Sequence, residues 1–205
     1  MVCFSRRMPQ AGSKRQSNDT RLKDVYKRQD FPKVWHQKCR MCFTEADLLY
    51  TLNQLVAVLE YRKGRLAETG CPNLDAYNEA TGENLPRLVF ACDEVAEVLD
   101  KTGRSKEDKE LLAQIESKLA TIARLGRAFG IHLILATQRP DATIIPGQIK
   151  NNLDFRVCGR AESVLSSIIL DNGSAAEQIP KDARGRFITG DGTVFQGFLF
   201  DDRQL

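Results

Sequence analysis

Apolar and polar positions divide the chain into an unpatterned arm and a patterned remainder. In the stretch Glu45–Thr69, Leu48, Leu52, Leu55, Val56 and Leu59 recur at i, i+3/i+4 and i+7, which predicts an amphipathic packing helix. Thr44 ahead of Glu45 and Asp47 reads as a capping-box-like start, and Gly70 as the residue just past the end. Residues 34–43 are a weaker strand candidate. Leu88-Val89-Phe90-Ala91-Cys92, five apolar residues after Asn84 and Pro86, predict a strand buried on both faces. A short helix over Val95–Leu99, a break at Thr102-Gly103-Arg104-Ser105 and a longer helix over residues 106–129 follow. That longer helix carries Leu112, Ile115, Leu119 and Ile122 on one stripe. After Gly130, residues 131–136 form a second apolar run that stops at Thr137-Gln138-Arg139-Pro140. Residues 155–158 suggest a third short strand, and residues 162–170 a helix ending at the turn Asp171-Asn172-Gly173. Residues 186–189 and 194–200, joined by Gly190-Asp191-Gly192, read as a terminal hairpin. Strands alternating with helices predict an α/β fold around a mostly parallel sheet.

Composition changes little in this picture, whereas the placement of charge changes more. The 205 residues are 42% hydrophobic and 28% charged, as in an ordinary globular protein, with a net charge of +3. Residues 1–29 hold eight Lys/Arg against Asp19 and Asp24, a net +6, so the remainder carries a net −3. Bulk charge therefore gives the patterned part no nucleic-acid signature. The arm shows no periodicity and reads as a disordered or spurious leader; residues 30–205 are the folded unit. It lacks the apolar segment of a secretory signal, and no run approaches the ~20 apolar residues of a membrane span. Six irregularly spaced cysteines suggest reduced thiols, not a disulfide framework. His36-x2-Cys39-x2-Cys42 has the spacing of only half a zinc site.

The candidate chemistry sits where the two apolar runs end. Two adjacent acids cannot continue a buried strand, so Asp93 and Glu94 belong at its carboxyl end, the edge where open parallel sheets bind ligands. One acid there suits a magnesium ion and its neighbour suits a water. Taken alone, the pair reads first as an acidic helix start. The second strand, ending in Thr137-Gln138, shifts the balance towards a nucleotide site. Arg124 and Arg127 near the end of the long helix are explained by its negative terminus. His132, at the start of the second strand, reads as structural.

At these residues the sequence resembles the FtsK/SpoIIIE family of DNA translocases. The resemblance rests on residues 85–94 (Leu-Pro-Arg-Leu-Val-Phe-Ala-Cys-Asp-Glu) and 126–140 (Gly-Arg-Ala-Phe-Gly-Ile-His-Leu-Ile-Leu-Ala-Thr-Gln-Arg-Pro). Ile149-Lys150-Asn151-Asn152, Ile169-Leu170-Asp171 and Asn73-Leu74-Asp75-Ala76-Tyr77-Asn78 also fit the family's pattern, with detail closest to members carried by conjugative elements. It implies a RecA-like P-loop NTPase fold, with ATP and Mg2+ as cofactors. Asp93 would hold the magnesium through water and Glu94 would polarise the attacking water. Thr137 and Gln138 would face the nucleotide, with Gln138 on the γ-phosphate. Arg127, or Arg124, would act on the site of a neighbouring subunit. Arg139 and Lys150 lie where such motors contact DNA or couple subunits. The implied assembly is a homo-hexamer around double-stranded DNA at the cytoplasmic face of the inner membrane, tethered by a separate region.

One departure from the family is large: the chain has no G-x-x-x-x-G-K-[ST] phosphate loop. The sequence therefore reads as the carboxyl-side part of a motor domain, inactive in ATP hydrolysis by itself. Alternative readings are the related ATPase of type VII secretion, which moves protein, and a non-catalytic assembly module.

Overall fold

The computed structural model describes residues 2–5, 39–138, 140–141 and 144–199. Helix α1, Glu45–Thr69, has the bounds its periodicity predicts. The Thr44 side chain accepts from the Asp47 amide, and Gly70 closes the helix in the left-handed conformation. Helix α2, Leu74–Thr81, is capped by Asn73, whose side chain accepts from the Ala76 amide. Strand β3, Leu88–Cys92, leads into α3, Val95–Leu99, and then α4, Lys106–Leu125. Strand β4, Ile131–Leu135, pairs with β3 in parallel, from Leu88 opposite Ile131 to Cys92 opposite Leu135.

On the other side of β3 the sheet departs from expectation. Strand β1, Val2–Ser5, pairs antiparallel with β3 and with β2, Arg40–Cys42, so the order is β2-β1-β3-β4. The leader predicted as disordered over residues 1–29 thus contributes a strand, while residues 6–29 lie outside the described residues. His36 of the zinc half-motif lies outside the described residues, among which no metal-binding cluster occurs. Cys42, Cys71 and Cys158 are free thiols, as expected, but Cys39 is disulfide-bonded.

The core explains a second departure. Leu88, Phe90 and Cys92 are buried together with Leu52, Leu55 and Leu59 of α1 and Leu112, Ile115, Leu119 and Ile122 of α4. Both long helices lie on one face of the sheet, and their apolar stripes fill it. Val89 and Ala91, on the opposite face, are only partly buried, and Ile134 of β4 is 57% exposed. The strand predicted to be buried on both faces is therefore fully covered on one.

The amino ends of β3 and β4 are held by Arg62 of α1, which is 4% exposed. Its guanidinium donates to the carbonyl oxygens of Phe129 and Pro86, both at 2.7 Å. Burial lowers its pKa below the ordinary arginine value. Helix α4 stops four residues short of the predicted end, because the main chain turns at Gly126 towards β4. A Cβ on Gly126 would lie 2.5 Å from the Ile131 carbonyl oxygen.

The rest of the chain forms a second layer. Helix α5, Gly147–Lys150, inserts Ile149 into the main core. Strand β5, Val157–Cys158, pairs antiparallel with β6, Arg186–Thr189, and β6 pairs with β7, Val194–Gln196. The hairpin forms where predicted, although its second strand ends at Gln196, short of the expected end, and the third strand joins it in a separate sheet instead of extending the parallel pair. Helices α6, Ser163–Leu170, and α7, Ser174–Gln178, close a smaller core over Cys158, Leu170, Ala175, Ile179 and Ile188. No helix among the described residues is long and apolar enough to cross a membrane.

Gly130 marks the tightest point. Its φ is +68°, and a Cβ there would lie 2.2 Å from Leu74 Cδ2. Gly130→Ala is expected to lower the unfolding free energy by about 2–4 kcal/mol through overpacking and left-handed strain, measured by urea denaturation.

Candidate functional site

The site is built by two main-chain hydrogen bonds at the carboxyl ends of β3 and β4. The Ala136 amide donates to the Cys92 carbonyl at 2.9 Å, and the Val95 amide donates to the Ala136 carbonyl at 2.8 Å. Between those anchors Asp93 and Glu94 must turn sharply. Glu94 does so in the left-handed region, at φ 57° and ψ 58°, which costs a non-glycine residue roughly 1–2 kcal/mol. That turn aims its carboxylate across the end of β4. The Thr137 hydroxyl donates to Oε1 at 2.5 Å, and the Gln138 amide donates to Oε2 at 2.9 Å. Both oxygens of a half-buried carboxylate are thus oriented by the neighbouring strand end. Asp93 beside it is exposed at the same edge.

The structure brings together four of the residues singled out from sequence: Asp93, Glu94, Thr137 and Gln138. Glu94 is not the ordinary helix start that seven residues in isolation would suggest. Its side chain makes no capping bond to α3; it points to β4. Thr137 orients Glu94 through its hydroxyl, and Gln138 does so through its main chain. A carboxylate and an exposed acid at this edge suit a hydrated divalent cation and a water. The phosphate side of a nucleotide would need backbone donors and a lysine that the sequence does not contain.

Arg127 lies elsewhere. It follows α4 and precedes β4, so about 17 Å of strand separates it from the Glu94 edge. It is 88% exposed and pairs with the equally open Asp154 at 3.5 Å, an ion pair worth little. Arg124 is exposed near the same end of α4. Neither can act on its own chain's Asp93–Glu94 edge.

Lys150 is held inside the chain. Its Nζ donates to Asp171 at 2.7 Å, and Arg156 donates to the same carboxylate at 2.7 Å and to the Ile169 carbonyl at 2.9 Å. Asp171 itself has φ 61° and ends α6. This clamp ties α5, seated in the main core, to the second layer. Arg139 lies outside the described residues. Sequence reasoning missed Arg156 and the clamping role of Asp171; the Ile169-Leu170-Asp171 match was the signal available. Asn78 is explained as well: its side chain brackets Leu85, donating to the carbonyl and accepting from the amide at 2.9 and 2.8 Å.

Two expectations follow from these contacts. Thr137→Val removes the donor to Glu94, and a double-mutant cycle with Glu94→Gln, read by chemical denaturation, should return a coupling of about 1 kcal/mol. The Asp171 pKa is held below the ordinary carboxylate value, first by the Lys150 hydrogen bond and then by that of Arg156. A depressed folded-state pKa contributes stability that is complete above the unfolded value and is lost as pH falls through the folded one. Denaturation midpoints should therefore fall at pH below about 4, and fall less in Asp171→Asn.

No protein-family model matches the chain. Curated relatives do match. Over 132 residues, 62% of the chain, it is 32% identical to the DNA translocase FtsK of Campylobacter jejuni, of which it covers 13%. Over 162 residues, 75% of the chain, it is 30% identical to the DNA translocase SftA of Bacillus subtilis, of which it covers 16%. The chain thus spans about one-seventh of the length of these relatives. Among solved structures, the pCW3 conjugation coupling protein TcpA, in its monomer form with ATPγS, superposes with a TM-score of 0.81 at 37% identity. That match covers 86% of this chain and 51% of TcpA. EssC of Geobacillus thermodenitrificans, ATPases 2 and 3, superposes with a TM-score of 0.55 at 22% identity, a likeness of fold alone. The chain is an FtsK/SpoIIIE-like sequence with the α/β fold of P-loop ATPases, and among these structures it resembles a conjugation coupling protein well beyond fold.

Proposed function

We propose that this chain is the carboxyl-side part of an ATP-driven motor domain that translocates double-stranded DNA, in conjugative transfer or chromosome segregation. The observation that carries the reading is the Glu94 carboxylate, fixed at the β3–β4 edge by Thr137 and Gln138 beside Asp93. Likeness to FtsK, SftA and TcpA supports DNA as the substrate. Magnesium-bound ATP, when present, supplies the phosphoryl group whose transfer to water drives the motor. Asp93 would hold the magnesium through water. Glu94 accepts a hydrogen bond from a water in place of one of its present donors, and orients it. Gln138, adjacent to Glu94 in the site, would respond to the γ-phosphate and pass the change to the chain that follows it. Arg127 faces away from its own site and serves that of a neighbouring copy, which a head-to-tail homo-hexamer provides. Attachment to the cytoplasmic face of a membrane would come from a region other than the one described here.

The purified chain should not turn over ATP with magnesium. Joined to the phosphate-loop half of the related coupling protein, it should hydrolyse ATP with stimulation by double-stranded DNA. Glu94→Gln in that fusion should lower kcat by about 10²–10⁴-fold while ATP still binds. Undiminished turnover in the variant would refute the role of Glu94, and stimulation by no DNA would refute the translocase reading.

A further inference from the structure

Strand β4 ends the order β2-β1-β3-β4, and among the described residues nothing pairs with its outer edge. The strand reads Ile131-His132-Leu133-Ile134-Leu135 and contains no Asp, Glu, Lys, Arg, Pro or Gly. Outer edges ordinarily carry such residues, because their open main-chain groups otherwise template pairing with another chain. Ile134 is 57% exposed. We propose that this edge receives a second copy of the chain, whose own β4 adds to it antiparallel about a two-fold axis. The inference goes beyond the motor reading and does not depend on it. A pair of this kind is closed, unlike a head-to-tail ring.

The main chain is self-complementary there. In a parallel pair, alternate residues direct both their amide and their carbonyl to the same neighbour. The Gly130 carbonyl accepts from the Leu88 amide at 2.8 Å, and the Ala136 amide donates to the Cys92 carbonyl at 2.9 Å. The even-numbered residues of β4 therefore face β3, and Ile131, Leu133 and Leu135 face the outer edge. The Ile131 amide is taken by the Gly126 carbonyl at 2.8 Å. A two-fold axis at Leu133 suits what is left. Each Leu133 would exchange both its bonds with the other Leu133, and each Leu135 amide would donate to the Ile131 carbonyl of the other copy. Every outward amide of the strand then has an acceptor.

Side chains and charge select the same partner. In that register Ile134 lies opposite His132 of the second copy, on the sheet face that α1 and α4 leave open. The two open faces, each with Val89, Ala91, His132 and Ile134, become continuous. Charge disfavours the parallel alternative. Asp93 and Glu94 stand at the carboxyl end of the β3–β4 pair, and the exposed Arg124 and Arg127 at its amino end. Antiparallel copies set each acidic end beside the other's arginines, whereas parallel copies would set like charges together. A short strand and a small apolar patch make this a weak, transient contact, of the class that buries less than ~1,200 Å².

Sedimentation equilibrium of the purified chain tests this from about 5 to about 500 µM, a range that covers weak complexes. A monomer–dimer equilibrium with no larger species is expected, weakened when salt screens the charged ends. Ile134→Lys, at an exposed position, should raise the dissociation constant at least about tenfold while thermal unfolding stays close to that of the parent. Val194→Lys on β7, an outer strand of the second sheet, should leave it unchanged. In a mixture of isotopically labelled and unlabelled chain, filtered NMR should show an Hα contact between His132 of one copy and Ile134 of the other. Only the antiparallel register brings those two atoms together. A chain that is monomeric at the highest concentration, open-ended growth, or equal association in Ile134→Lys would overturn the proposal. So would a dimer that Val194→Lys abolishes, or one that lacks the His132–Ile134 contact.

Discussion

Everything at the candidate site depends on a main-chain closure between two parallel strands. The Cys92 carbonyl, both polar groups of Ala136 and the Val95 amide form a short ladder across the carboxyl ends of β3 and β4. Parallel strands give evenly spaced, slanted bonds, so the ladder also fixes register: Cys92 lies opposite Leu135. With both ends anchored, the two intervening acids have few conformations left. Glu94 takes a left-handed one, and its carboxylate recovers part of the strain through two hydrogen bonds to the neighbouring strand end. The same closure launches α3 with Val95 buried, so strand pairing, helix direction and carboxylate placement are one event.

The two ends of the β3–β4 pair carry opposite chemistry. Acids and a hydroxyl collect at the carboxyl end, arginines and a histidine at the amino end. The amino end is held differently, by a buried side chain and not by a ladder. Arg62 reaches from α1 to the carbonyls of Phe129 and Pro86, which precede β4 and β3. A guanidinium with two main-chain acceptors replaces some of the solvation it loses on burial. Gly130, pressed against Leu74, and Asn78, bracketing Leu85, hold the same corner. The residues that make the sequence resemble a translocase are in this way partly structural: several shape the approach to the strands, and few touch the site.

Coverage of the sheet also bears on function. Helices α1 and α4 cover one face, while Val89, Ala91, His132 and Ile134 share the other and are less buried. Parallel strands are ordinarily covered on both sides. Strand β4 is apolar and, among the described residues, paired on one side only.

Local pattern was enough for α1, from its Thr44 cap to Gly70, because helix periodicity and capping are properties of neighbouring residues. It was enough too for both apolar strands, the terminal hairpin, and the assignment of Asp93 and Glu94 to a strand end. Asp93, Glu94, Thr137 and Gln138 meet at the carboxyl ends of β3 and β4, since each closely follows a strand that the apolar runs had located. Contacts between distant residues were beyond its reach. Nothing local marks Val2–Ser5 as a sheet strand, limits burial of β3 to one face, or assigns Val157–Cys158 to a second sheet; each depends on what packs alongside. Lys150 looked like a surface cation until Asp171 and Arg156, distant in sequence, closed around it. Arg87, Arg124 and Arg127 line one cavity only because α2, β3 and α4 meet around it. Sequence by itself determined the long helices, the two apolar strands and the polar residues at their ends, because hydrophobic periodicity and abrupt polarity are local. Tertiary structure alone decided which charges share a space, because strand register and helix packing set those distances.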